Sequence, residues 1–326
     1  MTEDALLRAI RSMVGTGGKR LLLGIGDDAA LWQPSRSHRS AITTDAYVEG
    51  THFTREMPLL DVGYRAMAAT LSDLSAMGAK PVLATIALGL PQRTQEADVR
   101  DVYRGMLTVA KAAGAAIAGG DLMRSPALLL SITAVGEVRP SHVKTRAGAR
   151  PGDVLAVTGE LGSARAGWMS EREHGAISGA HLEAARSAYA RPVTRFAEAR
   201  WLAASANVRA MLDLSDGLST DLLRLCKASA CGARVDAIPA SASARAFAAA
   251  TGEDGERFAL AGGDDYEILA AIDARAFRYL EARYRARFGR RLLAVGRMCP
   301  KEDGVTVLLS GERVALESTG WDHFRD

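Results

Sequence analysis

The sequence predicts a protein of two domains in the α/β or α+β class. A chain of 326 residues is too long for one ordinary hydrophobic core, so two domains are the expectation. Short apolar runs typical of strands alternate with segments of helical periodicity in both halves. Hydrophobic residues make up 48% of the chain, which gives each domain enough apolar side chains for its own core.

The N-terminal half alternates predicted strands with two amphipathic helices. Apolar residues recur at helical spacing in 61–78, where Asp61 is suited to cap the first turn. Gly78 and Pro81 form the stop signal of this helix, and a second helix is predicted for 95–113. Strands are predicted for the apolar segments RLLLGI, SAITTDAYV, VLATIALGL, AAIAGGDL and ALLLSITAVGEV.

A segment rich in Gly, Pro and charge, TRAGARPGD at 145–153, predicts the domain boundary. We therefore expect an N-terminal domain at 1–144 and a C-terminal domain at 145–326. After the boundary, VLAVTGELG predicts a strand and a glycine loop, and 181–205 is predicted to be helical. AMLDLSDGLSTDLLRLCKAS predicts a strand, an acidic turn and a helix. FALAGGDDYEILAAID predicts a second acidic turn, and 274–288 another helix.

Charge and composition exclude several classes of protein. The net charge is +3, from 41 basic and 38 acidic residues, and the arginines are scattered, so we expect no nucleic-acid partner. The first residues predict no signal peptide, and the longest apolar run, 82–90, is too short to cross a membrane. Three cysteines without a CxxC pair are typical of a reducing compartment, which predicts a cytoplasmic location.

Aspartates recur at the ends of apolar strands, beside Gly, Ser or Thr. Each alone is explained as a turn former or a helix cap, but six such turns exceed what caps require. If they converge, each close pair costs about 4 kcal/mol at an effective dielectric of about 20. Few lysines or arginines adjoin them in the sequence, and Mg²⁺ prefers hard oxygen ligands, so we expect a magnesium site that binds phosphates. The acids are Asp27, Asp28, Asp45, Asp73, Asp121, Asp213, Asp216, Asp264 and Asp265, with nearby hydroxyls at Thr43, Thr44, Ser72 and Ser215.

The common nucleotide and hydrolase motifs are absent from the sequence. GTGGKR at 15–20 has Met13 at the first glycine of a P-loop, and Arg20 where Ser or Thr belongs. GIGDDA has Ala29 at the third glycine of a dinucleotide fingerprint. There is no GxSxG, and the six histidines lack zinc-site spacing.

Taken in order, the motifs resemble those of the thiamine-monophosphate kinase family from about residue 20 to residue 325. The wider superfamily includes aminoimidazole ribonucleotide synthetase, selenophosphate synthetase and a hydrogenase maturation protein. The motifs are GIGDDAAL, TTDAYVEGTHF, LSDLSAMGAKP, GGDL, KTRAGARPGD, TGELG, LDLSDGLSTDL, GGDDYEIL and GWDHF.

The resemblance implies a two-domain, synthetase-like fold. The N-terminal domains of two copies would pair into a β-barrel within a homodimer, and a C-terminal α/β domain would complete a cleft for the nucleotide. It also implies that the γ-phosphoryl group of ATP is transferred onto the phosphate of thiamine monophosphate. The products would be ADP and thiamine diphosphate, and several Mg²⁺ ions would assist.

The resemblance further implies roles for single residues. The matching metal positions are Asp28, Thr43, Thr44, Asp45, Asp73, Asp121, Asp213 and Asp216. The matching nucleotide contacts are Tyr103, Gly120, Asp121, Arg146 and Ser215. The matching substrate contacts are His52, Asp264 and Trp321, and Asp27 adjoins the metal site.

One of these residues differs from the residue usual in the family, and two others have an alternative structural role. Asp264 stands where the family usually has Glu, which keeps the charge and shortens the reach by one methylene. Trp321 is suited to cover the thiazolium or pyrimidine ring of the substrate, or alternatively to pack the C-terminal segment. His52, beside Phe53, is a phosphate contact or alternatively a turn or core residue.

We expect in-line phosphoryl transfer without a covalent enzyme intermediate, because such reactions need alignment and charge neutralisation. The acceptor is already an anionic phosphate, so no nucleophile or general base is nominated. Two alternatives remain open. One is another ATP-dependent synthetase, which would need a reactive Cys or Lys in an N-terminal glycine-rich loop; Lys19 is there, but the first cysteine is Cys226. The other is a magnesium–nucleotide-binding module without catalysis.

Overall fold

The structure is a computed structural model that describes residues 3–15, 20–25, 29–172 and 175–320. The chain divides into two compact units, each with its own sheet and helices. The N-terminal unit comprises Met1–Ser75 and Ala79–Pro140, and the C-terminal unit comprises Ala76–Gly78 and Ser141–Asp326.

The N-terminal unit is built on a four-stranded sheet with the strand order β3-β6-β4-β5. The β4–β5 pair is parallel and the other two pairs are antiparallel, while β1 and β2 form a separate small antiparallel sheet. Its elements are α1 (Glu3–Val14), β1 (Leu21–Leu23), β2 (Leu31–Trp32), β3 (Arg39–Val48), α2 (Leu59–Ala76), β4 (Lys80–Leu90), α3 (Glu96–Ala113), β5 (Ala116–Arg124) and β6 (Leu129–Val138).

The two faces of this four-stranded sheet differ in burial. Along β6, Leu130, Ile132 and Ala134 are 0% exposed, and the residues between them are partly exposed. On the edge strand β3, Ile42 is 73% exposed. Alternating burial of this kind is typical of a sheet covered by helices on one side only. We call the side with Leu130 and Ile132 the covered face, and the other the open face.

The C-terminal unit is built on a seven-stranded sheet with the order β13-β12-β9-β11-β7-β10-β8. All neighbouring pairs are antiparallel except β9 with β12. Its elements are β7 (Val154–Val157), α4 (Ser163–Ser170), α5 (Gly179–Ala190), α6 (Phe196–Ala203), β8 (Val208–Asp213), α7 (Leu218–Ser229), β9 (Gly232–Val235), α8 (Ala242–Thr251), α9 (Gly255–Leu260), β10 (Ile268–Ile272), α10 (Ala274–Phe288), β11 (Leu293–Cys299), β12 (Val305–Leu309) and β13 (Glu312–Ala315).

Both faces of this larger sheet are buried. Along β7, Leu155 and Val157 belong to one hydrophobic cluster, and Ala156 belongs to another that also holds Met211 and Ala270. A central strand that is buried on both sides usually has a continuous apolar sequence, which explains the unbroken apolar sequence of β7. Helices thus pack against both sides of the C-terminal sheet, in agreement with the predicted α/β or α+β class.

Two sequence-based expectations about helices are corrected by the structure. The helix predicted for 61–78 begins at Leu59, so Asp61 lies in its first turn and is not its cap. The arginines are not evenly scattered, because α10 alone carries five of them, all exposed, beside a single acid. None of the helices in the described ranges combines the length and the apolarity needed to cross a membrane.

Candidate functional site

A pair of carboxylates lies on the covered face of the N-terminal sheet. Asp45 projects from β3, and Asp73 projects from α2. The hydroxyl of Thr43 donates to Oδ2 of Asp73 over 2.6 Å. Burial and the nearby Asp73 raise the pKa of Asp45 to about 6, and a hydrogen bond from Thr70 acts in the opposite direction. The two acids therefore repel each other in a partly buried setting that favours a bound cation.

Thr44 lies on the open face, away from this pair. Successive residues of a strand point to opposite sides, so Thr44 cannot share the direction of Thr43 and Asp45. Its hydroxyl is 2.5 Å from the hydroxyl of Thr133, its partner across the β3–β6 ladder. The structure thus brings together Thr43, Asp45 and Asp73, and it separates the Thr44 side chain from them.

Asp121 lies on β5, the edge strand opposite β3. It is exposed and pairs in register with Ala87, which pairs in turn with Ser131. Ser131 and Thr133 are two residues apart on β6, so this row belongs to the open face. The register therefore puts Asp121 on a different face of the sheet from Asp45.

Gly120 is required by the packing of β5 against β4. A Cβ atom at this position would lie 1.9 Å from the carbonyl oxygen of Ile86, so no larger residue fits without moving the backbone. The glycine allows the two strands to approach at the point where the chain reaches Asp121. Its presence in the GGDL motif thus has a structural reason beside the predicted contact with nucleotide.

His52 lies in the turn that follows β3. Its Nδ1 accepts a hydrogen bond from the Val48 amide over 3.1 Å, and its ring centroid is 5.1 Å from that of Tyr47. Because Nδ1 is the acceptor, a neutral ring carries its proton on Nε2, which makes Nε2 a donor. The contacts with Val48 and Tyr47 hold the imidazole ring in the turn.

Tyr103 lies in the core of the N-terminal unit. It is 3% exposed on α3, and burial raises the pKa of its hydroxyl above the ordinary value. This burial indicates a packing role for the aromatic ring. Because the ring is buried, Tyr103 is not part of the site proposed below.

A second group of acids follows β8 in the C-terminal unit. Asp213 ends the strand and is 4% exposed. Arg224 of α7 forms ion pairs with both Asp216 and Asp221, the latter at 2.7 Å. The Asp216 amide also donates to Oδ2 of Asp221 over 3.0 Å. Burial and Asp216 raise the pKa of Asp221 to about 6, and Arg224 acts against this rise.

The arginine at this turn corrects the expectation that few cations accompany the acids. Arg224 is eight residues away from Asp216 in the sequence, and helix α7 brings them together. Part of the negative charge after β8 is therefore balanced by the protein itself. The acids that follow β8 thus have a nearby arginine, and the hydrogen-bond partners described for the Asp45–Asp73 pair are hydroxyl groups.

Two acidic turns of the C-terminal unit are joined by backbone hydrogen bonds. The Asp264 amide donates to the carbonyl of Ser215 over 2.8 Å, and the Tyr266 amide donates to that of Leu214 over 2.9 Å. The turns predicted from LDLSDGL and GGDDYE thus lie side by side. Ser215, Asp216 and Asp264 consequently belong to one region of this unit.

Arg146 lies in the segment that begins the C-terminal unit. Its side chain is exposed, and its carbonyl accepts a hydrogen bond from the Ser229 hydroxyl over 2.8 Å. The backbone is therefore anchored to the end of α7 while the guanidinium faces solvent. An exposed guanidinium on an anchored loop is suited to bind a phosphate through two hydrogen bonds.

Three predicted residues, Asp27, Asp28 and Trp321, lie outside the described ranges. The chain is described up to Gly320, whose amide donates to the hydroxyl of Thr220 over 3.2 Å. Within those ranges, no group of three or more His, Cys, Asp or Glu side chains is arranged to hold a metal ion. Mg²⁺ is commonly held by one or two carboxylates together with substrate phosphates, and a pair of acids such as Asp45 and Asp73 is compatible with such a site.

Several residues of these sites were not identified from the sequence. Thr70 precedes Asp73 by three residues on α2, and Arg224 follows Asp221 by three on α7. Spacing of this kind puts side chains on one face of a helix and was a usable signal. The pairing of Arg195 with Glu267 in the C-terminal unit has no such local signal, because 72 residues separate them.

Comparison with known proteins agrees with these motifs. The family models of AIR synthase related protein match both parts of the chain, the N-terminal domain model at 26–138 and the C-terminal domain model at 150–277. Thiamine-monophosphate kinase of Escherichia coli (strain K12) is 34% identical over 303 residues, which cover 93% of this chain and 92% of the relative.

Solved structures give the same result. The crystal structure of thiamine-monophosphate kinase from Stenotrophomonas maltophilia K279a superposes with a TM-score of 0.84 at 34% identity, covering 96% of this chain and 98% of the other. The structure of AaThiL complexed with AMPPCP and TMP gives 0.78 at 27% identity, covering 99% and 97%. The chain therefore belongs to the AIR synthase related family and, within it, to the thiamine-monophosphate kinases.

Proposed function

We propose that this chain transfers the γ-phosphoryl group of ATP directly onto the phosphate of thiamine monophosphate, yielding ADP and thiamine diphosphate. Two observations support the proposal. Relatives that carry this activity in their names match the chain over most of its length, and one relative was crystallised with AMPPCP and TMP. The geometric observation that carries it is the Asp45–Asp73 pair, in which a partly buried carboxylate lies close to a second acid.

The Asp45–Asp73 pair fits a resident magnesium ion. Burial and mutual repulsion raise the pKa of Asp45, so the ionised pair gains stability from a divalent cation. The Thr43 hydroxyl donates to one oxygen of Asp73 and thereby helps to orient the carboxylate. When bound, Mg²⁺ neutralises charge on the phosphates and orients them for in-line displacement. We propose several such ions, with Asp28, Asp213 and Asp216 as further ligands from the family pattern. Asp121 and the Thr44 hydroxyl lie on the open face, so neither is a ligand of the ion at the Asp45–Asp73 pair in this proposal.

The remaining predicted residues bind the two substrates in this proposal. Gly120 lets the backbone beside Asp121 approach the nucleotide closely, and Ser215 and Arg146 bind its phosphates. His52 uses its Nε2 proton to bind an anionic oxygen of thiamine monophosphate, since Nδ1 is occupied by Val48. Asp264 contacts the cationic thiamine moiety, and Trp321 covers one of its rings.

We propose that the protein acts as a homodimer through the open face of the N-terminal sheet. Ile42 is 73% exposed there, and Met123 on β5 is 44% exposed, which is unusual for large apolar side chains of a sheet. Pairing of two such faces would bury them in a β-barrel shared by two copies. We also propose a cytoplasmic location, because ATP is available there and the three cysteines are free thiols.

A direct assay tests the proposed reaction. The protein is mixed with ATP, Mg²⁺ and thiamine monophosphate, and thiamine diphosphate is quantified by chromatography, with chelator and no-acceptor controls. We expect stoichiometric ADP and thiamine diphosphate only in the complete mixture. Tight ATP binding without product would favour the non-catalytic module. ADP formation that depends on a different acceptor would favour another synthetase of the superfamily.

A further inference from the structure

The GGDDYE turn of the C-terminal unit has an unusual backbone. Asp264 has φ of 66° and Tyr266 has φ of 49°, so two residues with side chains adopt the left-handed conformation within three positions. Residues other than glycine, asparagine and aspartate rarely do so, because the Cβ atom crowds the backbone. Such a conformation persists only where the surroundings impose it, and it is frequent at functional sites.

The surroundings impose it through hydrogen bonds from several elements. The amides of Asp264 and Tyr266 donate to the carbonyls of Ser215 and Leu214. The carboxylate of Asp265 accepts from the Gly162 amide over 2.7 Å, at the start of α4. The chain on both sides of Asp264 is therefore held in place.

The end of the turn is held by a buried ion pair. Glu267 is 5% exposed and accepts from the Thr158 hydroxyl over 2.5 Å. Arg195, 7% exposed, donates to Glu267 through Nε over 2.6 Å and through its second arm, a geometry that fixes both planes. A Cβ atom at Gly159 would lie 2.3 Å from Oε1 of Glu267, so the carboxylate fills the space that this glycine leaves.

Tyr266 connects this held turn to the functional carboxylate. Its ring is 7% exposed, and its hydroxyl donates to Oδ1 of Asp264 over 2.9 Å. The two residues that have left-handed backbone conformations are thus joined by a side-chain hydrogen bond across one intervening residue. We propose that Tyr266 is a positioning residue, which holds the Asp264 carboxylate in the orientation that binds thiamine monophosphate. This inference rests on the proposed function of Asp264.

The substitution Tyr266→Phe tests this role, because it removes the hydroxyl and keeps the ring. We expect KM for thiamine monophosphate to rise roughly 5- to 30-fold, as for a lost hydrogen bond to a charged group. We expect kcat, KM for ATP and the melting temperature to stay near wild-type values. The matched control is Tyr284→Phe, since among the described residues the buried Tyr284 hydroxyl has no hydrogen-bond partner. That control should leave kcat and both KM values unchanged, and its melting temperature should not fall because the substitution removes an unpaired buried hydroxyl.

A double-mutant cycle separates positioning from a merely structural role. If Tyr266 acts through Asp264, adding Tyr266→Phe to Asp264→Ala should raise KM no further. A further rise in KM for thiamine monophosphate when Tyr266→Phe is added to Asp264→Ala would overturn the inference. So would a fall in kcat and a rise in KM for ATP as large as the change in KM for thiamine monophosphate. An unchanged KM in Tyr266→Phe alone would also overturn it while leaving the proposed function intact. A wild-type protein that makes no thiamine diphosphate would overturn both.

Discussion

Each of the two units contains an acidic site in which neighbouring carboxylates repel each other, and the groups that offset this repulsion differ between the two sites. In each, burial and a neighbouring acid raise the pKa of one aspartate to about 6. At Asp45 the opposing influence is the hydroxyl of Thr70. At Asp221 the pKa is lowered by the hydrogen bond from the Asp216 amide and also by the positive charge of Arg224. The C-terminal unit thus supplies its own positive charge. For the N-terminal pair, we propose that a metal cation from solution supplies the balancing charge.

The largest expected effect comes from removing one acid of the N-terminal pair. Asp73→Asn should lower kcat by roughly 10³-fold at saturating substrates, because the metal loses a ligand charge at the reacting phosphates. The fold should persist, since the substitution also removes repulsion with Asp45. Steady-state kinetics and circular dichroism measure the two effects.

The matched control for this variant is Asp101→Asn, an exposed acid on α3 paired with Arg104 at 2.6 Å. It should change kcat less than about twofold. If Asp73→Asn had wild-type kcat, the Asp45–Asp73 pair would have no role in the reaction.

Removing the arginine should make the C-terminal site resemble the N-terminal one. Arg224→Ala leaves the carboxylate of Asp221, whose side chain is 1% exposed, without its ion pair. We expect a loss of about 2 kcal/mol in the free energy of unfolding, less than for a fully buried pair because the Arg224 side chain is 40% exposed. Millimolar Mg²⁺ should restore part of it.

Denaturant titrations with and without Mg²⁺ measure the effect of Arg224→Ala. Arg104→Ala, which breaks the exposed pair with Asp101, is the control and should cost less than about 0.5 kcal/mol. Equal losses in the two variants would show that Arg224 does not balance a buried acid.

Neutralising Asp45 should stabilise the protein in chelator. The folded-state pKa of Asp45 is raised to about 6 from 3.8, so ionisation costs stability fully above that pH, and the cost disappears as the pH falls towards 4. Asp45→Asn should therefore be more stable than wild type at pH 8 by on the order of 1–2 kcal/mol, allowing for partial exposure.

The difference between Asp45→Asn and wild type should shrink between pH 7 and pH 4. Thermal unfolding across this range measures the difference, with Asp101→Asn, at an exposed acid, measured alongside as the control. A stability difference that does not change with pH would mean that ionisation of Asp45 does not destabilise the folded protein.

The smallest effect concerns two neighbouring threonines on opposite faces of β3. Thr43→Val removes the hydrogen bond to Asp73 and should weaken Mg²⁺ activation by roughly 3- to 10-fold. Thr44→Val affects a hydroxyl that faces Thr133 and should change activation less than about twofold. Mg²⁺ titrations of activity compare them. A larger effect at Thr44 would show that the predicted ligand role of Thr44 is correct.

The sequence predicts the regular elements better than the convergence of side chains. The helix predicted for 274–288 matches α10, because its apolar periodicity is strong and Asp273 caps it. Helices α8 and α9 were not predicted, since short alanine-rich or mixed segments show little periodicity. The helical region predicted at 181–205 is in fact two helices, α5 and α6.

The site illustrates the same limit. That Thr43 and Asp45 share a face follows from the strand period, and so does the opposite direction of Thr44. The approach of Asp73 to Asp45 joins residues 28 positions apart and depends on how α2 packs on the sheet. The left-handed turn at Asp264 and the ion pair between Arg195 and Glu267 also depend on contacts between distant segments. No local sequence pattern specifies such contacts.

The most direct test of the contrast between the two acidic sites is a count of bound metal ions. Mn²⁺ binding is followed by electron paramagnetic resonance in the presence of saturating non-hydrolysable ATP, for wild type and for the double variant Asp45→Asn/Asp73→Asn. We predict that the double variant binds at least one ion fewer per chain while remaining folded. Equal stoichiometry and affinity in the two proteins would contradict the assignment of this pair as a metal site.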